Sequence, residues 1–157
     1  MKITLLVIGK TDDKQLMHLT ETYRKRLQHY IKFDLQVIPD IKNAKNLSQE
    51  QQKEREGQLI LQQLQAGDLL VLLDEKGRDY RSVEFAQYLQ KKMNSGLKRL
   101  VFVVGGPYGF SQSVYKQAKG QVSLSKMTFS HQMIRLFFVE QLYRAFTILN
   151  NEPYHHE

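Results

Sequence analysis

Short apolar runs and longer amphipathic segments alternate along the 157-residue chain. Runs rich in branched apolar residues predict five strands, at residues 3–8, 33–38, 69–73, 100–104 and 122–124. Apolar positions three or four residues apart predict five helices, at residues 12–29, 48–65, 82–94, 111–119 and 131–150. We therefore expect one α/β domain over residues 1–157, with a parallel sheet covered by helices on both faces.

Capping residues support several of these helix starts. Ser48 precedes Gln51 by three positions, and Asp12 precedes Gln15 by the same spacing, so each pair predicts a capping box. Ser130 is placed to cap the last helix.

The last predicted helix is apolar around most of its circumference. One buried face does not account for this pattern, which indicates a helix covered on more than one side. A second copy of the chain is one way to provide the cover, so the pattern favours a homodimer.

Composition narrows the choice of partners. Lysine and arginine exceed the acidic residues by seven, and the isoelectric point is near 9.5, which favours a nucleic-acid partner over other ligands. A merely basic protein remains the alternative. The chain has no cysteine, no apolar run of membrane-spanning length and no signal-peptide pattern, so a cytoplasmic location and no membrane partner are expected.

Three polar loops follow predicted strands. They begin at Asp74, Gly105 and Ser125. The carboxyl ends of parallel strands meet at one edge of a sheet, where ligands bind, so these loops form a candidate pocket for a nucleotide-like ligand. Plain turns are the alternative. The glycine-rich loop lacks the lysine of a phosphate-binding loop and the spacing of a dinucleotide site.

Residues typical of metal or nucleophilic catalysis are missing. There is no pair of histidines one helical turn apart and no nucleophile elbow, so no metal is expected. The chemistry left open is group transfer from a cofactor that is already activated.

The end of the chain offers further polar groups. Glu140 and Arg144 are four residues apart and predict a helix salt bridge, with Arg144 also free to meet a phosphate. His131 and Arg135 stand one turn apart, with exposed surface positions as the alternative to a role in binding. Tyr154 and His155 bring stacking and proton-handling groups to the tail.

Several motifs together resemble the bacterial ribosomal RNA large-subunit methyltransferase H family. They are Lys-Ile-Thr-Leu-Leu-Val-Ile-Gly-Lys at the start, Leu-Asp-Glu-Lys-Gly, Gly-Gly-Pro-Tyr-Gly, Leu-Ser-Lys-Met-Thr-Phe-Ser-His-Gln-Met-Ile-Arg, Glu-Gln-Leu-Tyr-Arg-Ala and the Pro-Tyr-His ending. They occur in order over essentially the whole chain.

The resemblance implies a SPOUT-type fold with a deep C-terminal trefoil knot, and a homodimer. It implies methyl transfer from S-adenosylmethionine to N3 of a pseudouridine in 23S rRNA of the assembled ribosome. The implied cofactor residues are Leu73, Gly105, Leu124, Ser125, Lys126, Met127, Thr128 and Phe129. The implied catalytic or RNA-facing residues are Arg144, Tyr154 and His155, with His155 as the candidate base.

Two other functions stay open at this point. One is a SPOUT-fold RNA-binding protein without activity, and the other is a methyltransferase acting on another RNA, such as tRNA.

Overall fold

The computed structural model describes residues 1–157. Its strands are β1 (Lys2–Ile8), β2 (Lys32–Ile38), β3 (Leu69–Asp79), β4 (Arg99–Val104) and β5 (Gly120–Ser123). Its helices are α1 (Lys14–Leu27), α2 (Gln49–Gln62), α3 (Ser82–Asn94), α4 (Gln112–Gln117) and α5 (His131–Leu149), with a 3₁₀ turn at Ala44–Asn46. All neighbouring strands pair in parallel, in the order β2-β1-β4-β3-β5, which confirms the predicted parallel α/β sheet.

The sheet separates two apolar layers. Ile3 and Leu5 of β1 belong to the larger layer, which contains side chains from α1, α3 and α5. Leu6 and Ile8 belong to the smaller layer, which contains Ile60 of α2 and a side chain from α4. Because both faces of the sheet are buried, the strands carry continuous apolar runs instead of alternating ones.

The connections after β1 and β4 leave the sheet on opposite faces. β1 leads into α1 on the side of the larger layer, and β4 leads into α4 on the side of the smaller one. The two strands are neighbours in the sheet. This is the arrangement that opens a crevice beyond the carboxyl ends of two strands in open α/β sheets.

Strand β3 is longer than the sequence pattern predicts. Leu73 and Arg78 both pair with Val122 of β5, so residues 74–77 form an outward loop within the strand. Gly77 lies against the β5 backbone, since a Cβ there would be only 2.7 Å from the carbonyl carbon of Gln121. The polar residues 74–77 correctly predicted a loop, but they gave no indication that β3 resumes its pairing with β5 at Arg78.

Most helix caps follow the prediction. Ser48 and Gln51 form the predicted capping box, and Ser130 accepts a hydrogen bond from the Met133 N–H at 3.1 Å. The cap predicted at Asp12 is wrong. Asp13 caps α1, accepting from the Gln15 N–H at 2.8 Å, whereas the Asp12 N–H donates to the distant Gln132 side chain.

Helix α5 is covered from two sides within one chain. It packs against both α1 and α3 as well as β4. Phe137 still exposes part of its ring, and the homodimer stays a prediction. None of the helices combines the length and the apolar character needed to span a membrane.

Candidate functional site

A cavity of about 610 Å³ lies at the carboxyl ends of β3, β4 and β5. The three loops singled out in the sequence meet there. Seven of the eight predicted cofactor residues line it: Leu73, Gly105, Leu124, Ser125, Met127, Thr128 and Phe129. Lys126 belongs to the same loop but is not among the lining residues, and its side chain is exposed.

Hydrogen bonds fix the loop after β5. The Ser123 hydroxyl donates to the Ser125 carbonyl at 2.9 Å, and the Met127 N–H donates to the Ser125 hydroxyl at 2.9 Å. The Thr128 hydroxyl donates to the Glu75 carboxylate at 3.0 Å, which ties this loop to the one within β3. Two walls of the cavity are therefore held together before any ligand binds.

One side of the cavity carries negative charge. Asp74 accepts hydrogen bonds from the Lys76 N–H and from the Tyr115 hydroxyl. Burial raises the pKa of Tyr115 to about 12, and the hydrogen bond to Asp74 adds to the shift. Tyr115 is therefore a neutral donor at physiological pH, and the carboxyl group of Asp74 is of the type that suits a cationic ligand group.

Large apolar side chains stand exposed at the cavity. Met127 is 78% exposed, Tyr108 44% and Phe129 39%. The Phe129 ring packs on that of Phe137 at 5.1 Å between centroids. Apolar surface grouped in this way indicates a place that a ligand or a partner covers.

A second group of predicted residues comes together at the other end of α5. Arg144 donates to Glu140 at 2.7 Å, and the Tyr154 hydroxyl donates to the same carboxylate oxygen at 2.7 Å. The Arg144 guanidinium also lies over the Tyr154 ring, 4.7 Å from its centroid. Burial and the hydrogen bond to Glu140 raise the pKa of Tyr154 above its ordinary value, so the phenol stays neutral. The predicted Glu140–Arg144 salt bridge is confirmed.

His155 completes this group through one ring nitrogen. Its Nδ1 lies 3.2 Å from Arg144 Nη1. A guanidinium only donates, so Nδ1 accepts, and the neutral ring carries its proton on Nε2. That Nε2 is buried without a hydrogen-bond partner.

The two groups of residues do not meet within one chain. Ile134 of α5 lines the cavity, and Arg144 follows ten positions later on the same helix. At 1.5 Å per residue the separation is about 15 Å. Arg144, Tyr154 and His155 are thus brought together with one another but not with the cavity.

Comparisons with known proteins agree with this geometry. A family profile described as "Predicted SPOUT methyltransferase" matches residues 1–155. The chain belongs to this family. Curated relatives named "Ribosomal RNA large subunit methyltransferase H" are 68% identical in Flavobacterium johnsoniae and 67% identical in Parabacteroides distasonis, each over 100% of both chains. The resemblance found in the motifs is confirmed over the whole chain.

A solved structure provides a more distant likeness. It is the SpoU methyltransferase AviRb of Streptomyces viridochromogenes in complex with AdoMet. The match has a TM-score of 0.45 at 10% identity and covers 96% of the SPOUT chain. The chain spans 61% of the length of that protein.

The sequence did not predict the surroundings of Arg135. A surface position was the alternative considered for it, but the side chain of this SPOUT protein is only 2% exposed. It donates to the carbonyls of Ile8 at 2.8 Å and Gly9 at 2.9 Å. These partners lie more than 120 positions away in sequence, so helix periodicity carries no signal for them. The one indication in the sequence that Arg135 is buried was its position within an otherwise apolar face of the last helix.

The side chains were also searched for a possible metal site. No three His, Asp or Glu side chains are grouped so that they could hold a metal ion.

Proposed function

We propose that this SPOUT protein transfers a methyl group from S-adenosylmethionine to N3 of a pseudouridine in 23S rRNA. The substrate is the assembled ribosome in the cytoplasm. The observation that carries the proposal is the cavity at the ends of three strands, in a chain related over its full length to rRNA methyltransferases. The surplus of seven positive charges agrees with an RNA substrate.

The cavity fits the proposed cofactor. Its volume of about 610 Å³ is within the range of small-molecule sites. Leu73, Gly105 and residues 124–129 would hold the cofactor, with backbone groups of the last loop on the adenine. A Cβ at Gly105 would be 3.2 Å from the Phe110 ring, so a side chain at this position would require the ring to shift. When bound, S-adenosylmethionine supplies a methyl group on a positively charged sulfur, and Asp74 is a suitable counter-charge.

A trefoil knot is part of the proposal. The family to which the chain belongs supports it.

A homodimer accounts for the distance between the cavity and the C-terminal group. In a dimer with opposed α5 helices, Arg144, Tyr154 and His155 of the partner subunit would reach the cavity. Tyr154 would stack on the target base, and Arg144 would bind a phosphate or polarise a base carbonyl. His155 could act as the base only after it loses its hydrogen bond from Arg144, because that bond occupies Nδ1.

The reaction needs one proton acceptor. The N3–H proton leaves the target base, N3 forms a bond to the methyl carbon, and the carbon–sulfur electron pair remains on sulfur. Positioning of the two reactants provides most of the rate increase that the protein contributes.

The first test is methyl transfer with purified protein. Ribosomes from cells that lack the gene are incubated with labelled S-adenosylmethionine, and the 23S rRNA is digested and analysed by mass spectrometry. One added methyl on a pseudouridine is expected. Label in tRNA alone would instead support a methyltransferase for another RNA. Calorimetry that finds no cofactor binding would support an RNA-binding protein without activity.

A further inference from the structure

Positive charge is concentrated at the amino edge of the sheet, opposite the proposed cofactor cavity. Strands β1, β2 and β4 begin at this edge, and α1 and α3 end there because each helix runs back to the start of the next parallel strand. Residues 1–2, 24–34 and 91–99 form this region, and Asp34 is their one acidic residue. Their nine cations, here called the basic edge, are Lys2, Arg24, Lys25, Arg26, Lys32, Lys91, Lys92, Lys98 and Arg99.

The strand register makes the basic edge continuous. Lys2 of β1 pairs with Lys32 of β2 on one side and with Arg99 of β4 on the other. The Lys2 N–H also donates to the Lys98 carbonyl at 2.8 Å. Neighbouring strands are about 4.8 Å apart, so three strands present these cations across about 10 Å. The last turns of α1 and α3 extend the row of cations at its two ends.

Ion pairs neutralise only three of the nine cations. The pairs are Lys2 with Asp34, Arg24 with Glu21 and Arg99 with Asp68. The other six cations form no salt bridge, and all of them except Lys92 are exposed. Like charges grouped in this way repel one another and lower stability, so a partner of opposite charge accounts for them better than the fold does.

The helix ends explain only part of this cluster. Cations in a last turn are stabilised by the partial negative charge of the helix end, and this applies to Lys25 and Lys91. The effect does not reach beyond the last turn. Lys32 begins β2 and Lys98 directly precedes β4, so neither charge stabilises a helix end.

The basic edge borders the group that is proposed to face the RNA. The Arg26 guanidinium lies 5.9 Å from the centroid of the Tyr143 ring, and that ring lies 4.7 Å from the ring of Tyr154. The Tyr30 hydroxyl, just after α1, donates to the Glu152 carboxylate of the tail. These contacts join the end of α1 to the tail, so an RNA strand that stacks on Tyr154 would pass beside the basic edge.

We propose that the basic edge binds the sugar–phosphate backbone of the ribosomal RNA that flanks the target nucleotide. The inference rests on the proposed function, because it assigns the surface that docks the same substrate. Phosphate contacts give affinity and position without reading sequence. The basic edge therefore sets how tightly the ribosome is held, and in the proposed dimer it flanks the cofactor cavity of the partner subunit.

The first test compares two triple variants that have the same net charge. The edge variant carries Lys25→Gln, Lys32→Gln and Lys98→Gln. The control variant carries Lys42→Gln, Lys45→Gln and Lys116→Gln, at exposed positions outside the basic edge. Loss of three phosphate contacts should lower the slope of log affinity for ribosomes against log salt concentration by about 2 to 3, and the affinity about 100-fold at about 0.1 M salt. The control variant should keep the native slope and affinity.

Cofactor binding and chemistry should not change in the edge variant. Its Kd for S-adenosylmethionine, its melting temperature and its kcat at saturating ribosome concentration should match the native values, while its KM for ribosomes rises. An equal loss of affinity in both triple variants would show an effect of net charge alone and overturn the proposal. Native affinity in the edge variant would overturn it as well.

A second test uses the native protein and no variant. Lysines are acetylated with and without bound ribosomes, and the modified positions are identified by mass spectrometry. Protection is expected at Lys25, Lys32 and Lys98 but not at Lys42, Lys45 and Lys116. Protection by ribosomes but not by protein-free 23S rRNA would indicate a ribosomal protein as the partner and overturn the assignment to RNA, and so would an absence of protection at the basic edge.

The proposed reaction and the proposed docking surface can fail separately. Protection of the lysines of the basic edge without methylation of any RNA would remove the reaction and keep the docking surface. Ribosome methylation with the same KM in the edge variant and the native protein would keep the reaction and remove the docking surface.

Discussion

The two ends of α5 are built in different ways. At its N-terminal end, loops with mostly backbone polar groups and exposed apolar side chains surround a cavity, and Met127 is the clearest example. At its C-terminal end, Glu140, Arg144, Tyr154 and His155 bond to one another, and Nε2 of His155 is buried without a partner. The first end forms a cavity lined by loops, whereas side chains of the second end form hydrogen bonds with one another.

This difference suggests separate roles for the two ends of α5, one in cofactor binding and the other in recognition of the RNA target. An adenosine-type cofactor can be held by backbone groups and apolar contacts, which need a shaped cavity but few special side chains. An RNA target needs charge and stacking, which need particular side chains in fixed positions. Changes at the two ends of α5 should therefore alter different measurable steps.

The largest expected effect is on Arg144. Arg144→Ala should lower the methylation rate about 100- to 1,000-fold, because it removes the cation that we propose to face the RNA. The Kd for S-adenosylmethionine, measured by calorimetry, should stay within about twofold of the native value. Arg81→Ala, at an exposed arginine at the start of α3, is the control and should change neither quantity. A combined loss of binding and rate would show that the two ends are not independent.

The opposite result is expected at the cavity. Gly105→Val should weaken S-adenosylmethionine binding about 100-fold, because the new side chain crowds the Phe110 ring and takes up space in the cavity lining. Gly120→Ala is the control, since a Cβ there first meets atoms at 3.7 Å. Undiminished cofactor binding by Gly105→Val would place the cofactor elsewhere.

A smaller effect is expected on the pH dependence of the free energy of unfolding, and it comes from Glu56 at the crevice between β1 and β4. Burial raises the pKa of Glu56 in the folded state, so folding holds the proton more tightly than the unfolded chain does. The free energy of unfolding should fall as the pH rises from the ordinary glutamate pKa, about 4.3, through the folded value. Asp40 and Arg135 line the same crevice and carry charges of opposite sign.

Glu56→Gln removes that loss of stability. Urea unfolding at about pH 7 should show a gain of about 1 kcal/mol over the native protein. A clear destabilisation would instead show that the carboxylate holds the fold together.

The smallest effect is expected in the tail. Tyr154→Phe deletes the hydroxyl bonded to Glu140, while Arg144 still pairs with that carboxylate. The docked tail should lose about 0.5 kcal/mol, measured as faster hydrogen exchange of the Tyr154 and Glu152 amides. Tyr108→Phe, on an exposed loop, should leave these rates unchanged. An equal change in both variants would mean that the hydroxyl does not anchor the tail.

Local pattern in the sequence predicted the helices and strands and the three loops of the proposed cofactor cavity. Apolar periodicity follows from which faces are buried, and Ser48 and Ser130 act on helix ends within three residues of themselves. The rule that ligands bind at strand carboxyl ends then predicted, without coordinates, that the loops beginning at Asp74, Gly105 and Ser125 lie together.

Tertiary structure alone decided the contacts between distant residues. The burial of Arg135 depends on carbonyls more than 120 positions earlier, and Glu56 meets Gly106 fifty positions later. The return of β3 to Val122 after its loop likewise depends on a neighbour strand. Such contacts join residues far apart in the chain, so they produce no periodic pattern in the sequence. A charged side chain can be buried only where the folded protein supplies hydrogen-bond partners, and local sequence does not show those partners.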